Sequence, residues 1–284
     1  MSAVFVTGAT GTVGSAVVAD LLARGQDVIA GVRATRDERI PDAAVQREFS
    51  YVAGAGEIHD VLDGVDRLFL LRPPAIADVQ ATLFPVIDAA LRRGIRQIVF
   101  LSLQGVQANR RTPHHAVEQY LRETRSPFTF LRPNFFMQNL STTYAEAIRR
   151  DGEIFVPAGR SRTAFIDARD VGRSAAATLT QPGHIGKAYT LSGEQSLGYR
   201  QVAEIMSAVL DRPIRYARPR EDAYLARLAS AGAPQDYLEV QKMIHRVVRL
   251  NISAFPNRAV RRLTGQPATS LEQFVDDYRT AWIT

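Results

Sequence analysis

Gly8, Gly11 and Gly14 stand at three-residue intervals directly behind the apolar run Val4-Phe5-Val6-Thr7, and an amphipathic stretch follows at once. Glycines so spaced on a strand-to-helix turn suit anion binding. One permits the sharp turn, one lets the backbone approach a pyrophosphate, and one lets the helix lie against the strand. The helix N-terminus then offers free N–H groups and the positive end of its dipole. Thr10, Thr12 and Val13 share that turn and are predicted to help hold the phosphates. The next apolar run ends Ala30-Gly31-Val32-Arg33, with Arg36 and Arg39 close behind and no acid at its end. An acid there would hold a free ribose hydroxyl, whereas an arginine accepts a 2′-phosphate through charge-assisted bonds. Arg33 therefore predicts NADP(H) rather than NAD.

Other residues of suitable type follow later apolar runs. Leu71-Arg72-Pro73, Ser102 and Pro133-Asn134-Phe135 are predicted to reach the ribose and nicotinamide, the last through backbone N–H groups on the carboxamide. Phe136, Met137, Gln138 and Asn139 are predicted to form a substrate wall, with flat apolar side chains for an aromatic ring and an amide for its oxygen; a plain core role for the two phenylalanines stays open. His114 and His115 are the candidates for proton handling. Thr112 reads as a helix cap and Pro113 as the first helical residue, so the dipole favours neutral imidazoles, and Glu118 is one turn away to orient one of them. A capping or cofactor-contacting role for the pair stays open. Asp167 reads as the cap of a later helix.

These residues need a frame, and short apolar runs alternating with helical periodicity supply one. Strands are predicted at 4–7, 27–32, 45–52, 67–71, 97–102 and 128–131, and helices at 16–23, 76–93 and 113–123. Continuously apolar strands such as 67–71 indicate a sheet covered on both faces. Beyond residue 150 the chain becomes more helical: strands are expected at 154–157 and 187–191, and helices at 168–179, 199–210, 222–231, 235–248 and 270–282. The predicted architecture is an α/β, Rossmann-type doubly wound parallel sheet over residues 1–152, with a smaller, mainly helical lobe over 153–284 walling a substrate cleft. With no linker between them, one globule is expected.

Composition narrows the classes of function. The 284 residues contain no cysteine, which excludes disulfides, thiolate catalysis and iron–sulfur ligation. No His/Asp/Glu spacing suggests a metal, and no Gly-x-Ser-x-Gly elbow suggests a hydrolase. The first strand begins immediately and no apolar run is long enough for a membrane span, so neither a signal peptide nor a membrane is expected, and the cytoplasm is the predicted location. The net charge of +6 comes from scattered pairs such as Arg92-Arg93 and Arg261-Arg262. They form no one-sided basic stripe, so nucleic acid is not an expected partner.

Together, Gly8–Gly14, Arg33, Leu70–Pro74, Pro113-His114-His115, Phe130–Asn139 and Ala164–Val171 resemble the NmrA-like branch of the atypical short-chain dehydrogenases/reductases. The resemblance implies a Rossmann domain, NADP(H) and a small C-terminal lobe. It spans nearly the whole chain and weakens after about residue 220. It implies either reduction of quinones, imines or dyes, or non-catalytic redox sensing. The wider superfamily carries a Tyr-x-x-x-Lys acid pair where this chain has Arg110-Arg111-Thr112-Pro113-His114-His115. The expected function is hydride transfer from NADPH to a small quinone-, enone- or imine-like substrate without that pair. The alternative is an NADP(H)-sensing regulator with a protein partner. A homodimer is compatible with either.

Overall fold

The computed structural model describes residues 3–34 and 36–283. β1 (Ala3–Val6) leads through the glycine turn into α1 (Thr12–Ala23), followed by β2 (Asp27–Val32), β3 (Val45–Glu48), α2 (Ala55–Val61) and β4 (Val65–Leu71). Next come α3 (Val79–Arg92), β5 (Gln97–Leu101), a short 3-10 turn at Val106–Ala108, α4 (Pro113–Glu123) and β6 (Phe128–Pro133). The chain continues through α5 (Gln138–Ser141), α6 (Ala145–Asp151), β7 (Glu153–Ile154), β8 (Arg162–Thr163), α7 (Ala168–Thr180) and β9 (Lys187–Leu191). It finishes with β10 (Leu197–Gly198), α8 (Tyr199–Leu210), β11 (Arg215–Tyr216), α9 (Glu221–Ser230), α10 (Gln235–Arg249), α11 (Ala259–Thr264) and α12 (Leu271–Asp277).

Two compact units emerge, and the chain passes between them five times. The first unit takes Met1–Pro133, Ala168–Leu191 and Ala259–Gln266; the second takes Asn134–Asp167, Ser192–Arg258 and Pro267–Thr284. The sequence reading placed a single boundary at 152/153. The physical reason for the difference is β9, which pairs in parallel with β6. It brings α7 with it, and α7 packs against α1 and α11.

The first unit is built on a seven-stranded sheet in the order β3-β2-β1-β4-β5-β6-β9, with every neighbouring pair parallel. Strand order reverses between β1 and β4, the crevice where open α/β sheets bind ligands. The buried runs Ile98-Val99-Phe100 and Leu68-Phe69-Leu70 lie in the middle of the sheet, as their unbroken apolar character requires. α1 and α7 approach so closely that a Cβ on Gly172 would lie 2.6 Å from the Ala16 Cβ. The second unit has its own core, in which Met206, Ile154, Phe274 and Trp282 are buried together. The Trp282 indole N–H there donates to the Leu140 carbonyl at 2.9 Å.

Candidate functional site

The glycine turn separates what the fold demands from what it leaves open. Gly8 adopts φ +61°, and a Cβ on it would press against Leu71 Cδ2 at 2.7 Å. A Cβ on Gly14 would sit 2.1 Å from the Gly8 carbonyl oxygen, so the helix can start here only on a glycine. Gly11 differs: its φ of −88° suits any residue, and a Cβ would meet only the Gly8 carbonyl oxygen, at 3.3 Å. Gly11 is exposed and caps α1 with no side-chain bond, and no acid stands in the first turn. The first helical hydrogen bond runs from Ser15 N–H to the Gly11 carbonyl at 2.9 Å, so the N–H groups of Thr12, Val13 and Gly14 precede the ladder. Val13 turns its side chain into the core, Thr12 is exposed and Thr10 half-buried. An uncapped helix start beside a small, exposed residue has the donors and the room an oxyanion needs.

Arg33, just past the end of β2, is exposed and makes no hydrogen bond or ion pair among the described residues. The nearby carboxylate of Asp37 is already taken by Arg39, through bonds of 2.8 and 2.6 Å, and that bonding holds Asp37 below the usual carboxylate range.

At β4 the geometry is fixed from three sides. Thr7 Oγ1 donates to the Phe69 carbonyl and accepts the Leu71 N–H, both at 3.0 Å, and the Tyr51 hydroxyl donates to the Leu71 carbonyl at 2.6 Å. Arg72 turns back on its own loop: Nη1 donates to the carbonyls of Pro73 and Pro74 at 3.1 Å each and to that of Ile76. Its Nε faces His114 Nε2 at 3.5 Å. Arg72 and Pro73 thus stiffen the loop, with the guanidinium largely committed. Past β5, Ser102 is only 4% exposed, and its hydroxyl has no partner among the described residues. A buried, unpaired hydroxyl at the carboxyl end of a central strand calls for a ligand or a water.

The histidine pair opens α4 as the cap predicts, with Thr112 Oγ1 accepting the His115 N–H at 3.3 Å. Burial, then the Arg72 charge, pushes the His114 pKa down to about 4, so it is neutral near pH 7. Arginine only donates, so His114 Nε2 carries the lone pair and Nδ1 the proton. His115 Nδ1 lies 3.2 Å from the Val106 carbonyl, which only accepts, so its proton is also on Nδ1. The expected orienting role of Glu118 is not seen. Its carboxylate instead forms a buried bidentate pair with Arg132 of β6, at 2.9 and 2.5 Å, because a buried guanidinium needs a fixed anion more than a half-buried imidazole does.

In the second unit, the segment after β6 is more committed than its sequence suggested. Asn134 donates its amide to the Ser253 carbonyl at 2.9 Å, and its Oδ1 takes the Phe135 N–H at 2.8 Å. The Phe135 N–H proposed for a carboxamide is therefore already used. Phe136 and Ile166 form a parallel bridge. Met137 is 3% exposed, and with Phe165, Gly193, Leu197 and Leu271 it lines a cavity of about 150 Å³. The Gln138 amide donates to Asp167 Oδ1 at 2.8 Å, and Asn139 is half-buried. Pro133, closing β6 in the first unit, accepts the Gln104 N–H at 3.0 Å.

Sequence reasoning did not single out a cluster of buried phenols in this unit. Tyr144, Tyr199 and Tyr224 all have raised pKa values, mainly through burial. The His245 ring meets the Tyr224 ring edge-on at 4.8 Å, with neither nitrogen partnered among the described residues. The available signal was the buried edge of α10, where Gln241, His245 and Val248 recur at helical spacing. Among the described residues no His/Asp/Glu group could hold a metal, and no helix is long and apolar enough to cross a membrane.

A parallel sheet that reverses at β1/β4, with a glycine turn at the reversal, is a Rossmann-type α/β fold. The model of the NmrA-like family matches residues 1–266, and the chain belongs to that family. It is 31% identical to the NAD(P)H azoreductase of Xenophilus azovorans over 294 residues, covering 98% of this chain and 99% of the relative. It is 32% identical to the (4-alkanoyl-5-oxo-2,5-dihydrofuran-3-yl)methyl phosphate reductase of Streptomyces griseus, at 98% and 99% coverage. Its fold is similar to that of the NADPH complex of the Escherichia coli quinone oxidoreductase QOR2, with a TM-score of 0.86, 23% identity, and coverage of 98% and 99%.

Proposed function

We propose that the protein binds NADP(H) on the β1–α1 turn and is an NADPH-dependent reductase of a small quinone-, enone- or imine-like substrate. The observation that carries this is the uncapped start of α1 behind an exposed Gly11, with Arg33 past the end of β2 making no side-chain hydrogen bond or ion pair among the described residues. The N–H groups of Thr12 and Val13 would bond the pyrophosphate, Arg33 the 2′-phosphate, and the unfilled Ser102 hydroxyl a further polar atom of the cofactor. Leu71 and Pro73 shape the strand-end loop, with Arg72 holding it in place. When bound, the nicotinamide supplies the hydride, which leaves the protein to position the reactants. Neutral His114 has an Nδ1–H to donate to a substrate oxygen but no imidazolium proton near pH 7. Phe136, Met137, Gln138 and Asn139 are the proposed substrate-side residues, and the cavity beside Met137 supports an apolar ring there. The names of the two curated relatives, both reductases, support the same class of reaction.

The test is the loss of NADPH absorbance with a panel of quinones, azo dyes, enones and cyclic imines, together with calorimetric titration of NADPH. Turnover of at least one substrate is expected, and Arg33→Asp should weaken NADPH about 10- to 100-fold while barely affecting NADH. Equal loss for both cofactors removes Arg33 from the 2′-phosphate. A second reading, an NADP(H)-sensing regulator, rests on α4 opening with Thr112-Pro113-His114-His115 rather than a tyrosine–lysine pair. Tight NADPH binding with no turnover across the panel selects it.

A further inference from the structure

α10 buries one edge and leaves a second apolar edge uncovered. Gln241, His245 and Val248 point into the second unit. On the other side Val240 is 46% exposed, Met243 49% and Leu250 64%, with half-buried Val247 between the last two. These positions, together with Asp236, recur every three or four residues and so form one stripe along the helix. Ile252 and the 71%-exposed Phe255 extend the apolar surface past the helix end. A stripe of this extent on a lone chain marks a contact surface.

The charges beside it indicate what covers it. Glu239 and Arg246 are seven residues, two turns, apart on one flank of the stripe, and both are exposed. Among the described residues the Arg246 guanidinium makes no hydrogen bond or ion pair, and the Glu239 carboxylate meets only the Gln235 amide, at 3.5 Å. Met243 lies near the midpoint between them. We propose that this face pairs with a second copy of the chain, the two α10 helices running antiparallel about a two-fold axis at Met243. The flank is then self-complementary, as a two-fold interface requires. Glu239 of each copy faces Arg246 of the other, Val240 packs near Val247, and the Met243 side chains meet on the axis, where a flexible thioether adapts well to its own image. Asp236, on the stripe itself, approaches the basic C-terminal turn of the opposing helix. A lipid surface would favour basic residues alone along the flank; an acid on the stripe and another beside it favour a second copy. A helix of this length spans about 22 Å, less than the roughly 800 Å² per partner of a stable interface requires, so Ile252 and Phe255 belong to the same contact.

The experiment is the sedimentation of the full chain, without cofactor, over a concentration series. The wild type is expected to be a dimer and Met243→Asp a monomer with unchanged helical circular dichroism. Glu239→Arg and Arg246→Glu should each weaken association about tenfold, and the double exchange should restore it. A monomeric wild type, a dimer indifferent to Met243→Asp, or single variants that the double exchange does not rescue would each overturn the proposal. Because no cofactor or substrate enters the measurement, the result stands apart from the proposed reductase activity.

Discussion

At the scale of single residues, the three glycines of the first turn have different jobs, and substitution separates them. Gly14→Ala places a methyl 2.1 Å from the Gly8 carbonyl oxygen, so the helix must move away from its strand. A loss of several kcal/mol is expected, read as a large drop in thermal midpoint. Gly11→Ala meets only one atom, at 3.3 Å, in a backbone conformation alanine accepts. It should leave the midpoint within about 1 kcal/mol of wild type yet weaken calorimetric NADPH binding at least tenfold, because the methyl would stand in the proposed approach of the phosphate. If Gly11→Ala binds NADPH normally, the pyrophosphate is not on this turn. Glu118 behaves in the opposite way. Its partner is the buried Arg132, so Glu118→Ala strands a guanidinium at a cost of about 3–5 kcal/mol. Catalysis by the histidines plays no part in that loss, which denaturant unfolding measures directly.

At the scale of elements, the crossing of α1 and α7 is held at a distance only glycine allows. Gly172→Ala should force the helices apart and cost about 1–3 kcal/mol, lowering the denaturant midpoint. An unchanged midpoint would mean that the crossing relaxes freely. The helices and strands most legible in the sequence were those with chemical end-signals. The Thr112 cap and Pro113 set α4 to the residue, and β9 and α8 were likewise found at the predicted bounds. α2 was missed because its glycine-rich start reads as a loop. Of the strand predicted at 154–157 only Ile154 lies in β7, which begins at Glu153 and pairs with β11 some sixty residues on; periodicity carries no information about so distant a partner. The same blindness hid part of the site. The glycine turn and Arg33, the proposed phosphate-binding residues, are local patterns that the sequence displays directly. That Asn134 is tied to Ser253, Gln138 to Asp167 and Glu118 to Arg132 depends on residues brought close only by folding.

At the scale of the whole molecule, half-buried His114 and buried His245 make stability depend on pH. Burial lowers both His114 and His245 from the ordinary 6.5 to about 4, aided by Arg72 for the first and Arg249 for the second, with Glu221 opposing at His245. Between those values the unfolded chain binds more protons than the folded one. Stability is therefore full above about pH 6.5 and lost as pH falls toward 4. Calorimetric scans should show the midpoint falling through that window. His245→Phe keeps the ring against Tyr224 and sacrifices no hydrogen bond among the described residues, so it should flatten the fall. An undiminished fall in that variant would remove His245 as a cause. The interleaving of the two units has a consequence during synthesis. A ribosome that has released residue 133 has made six of the seven sheet strands, but β9 and the helix α7 that covers α1 are still missing, and α11 is encoded later again. At about 5–20 residues per second, the sheet waits on the order of ten seconds for its last components, its edge open and α1 uncovered. The nascent chain thus passes through an interval of exposure that a protein with its domains in tandem would avoid.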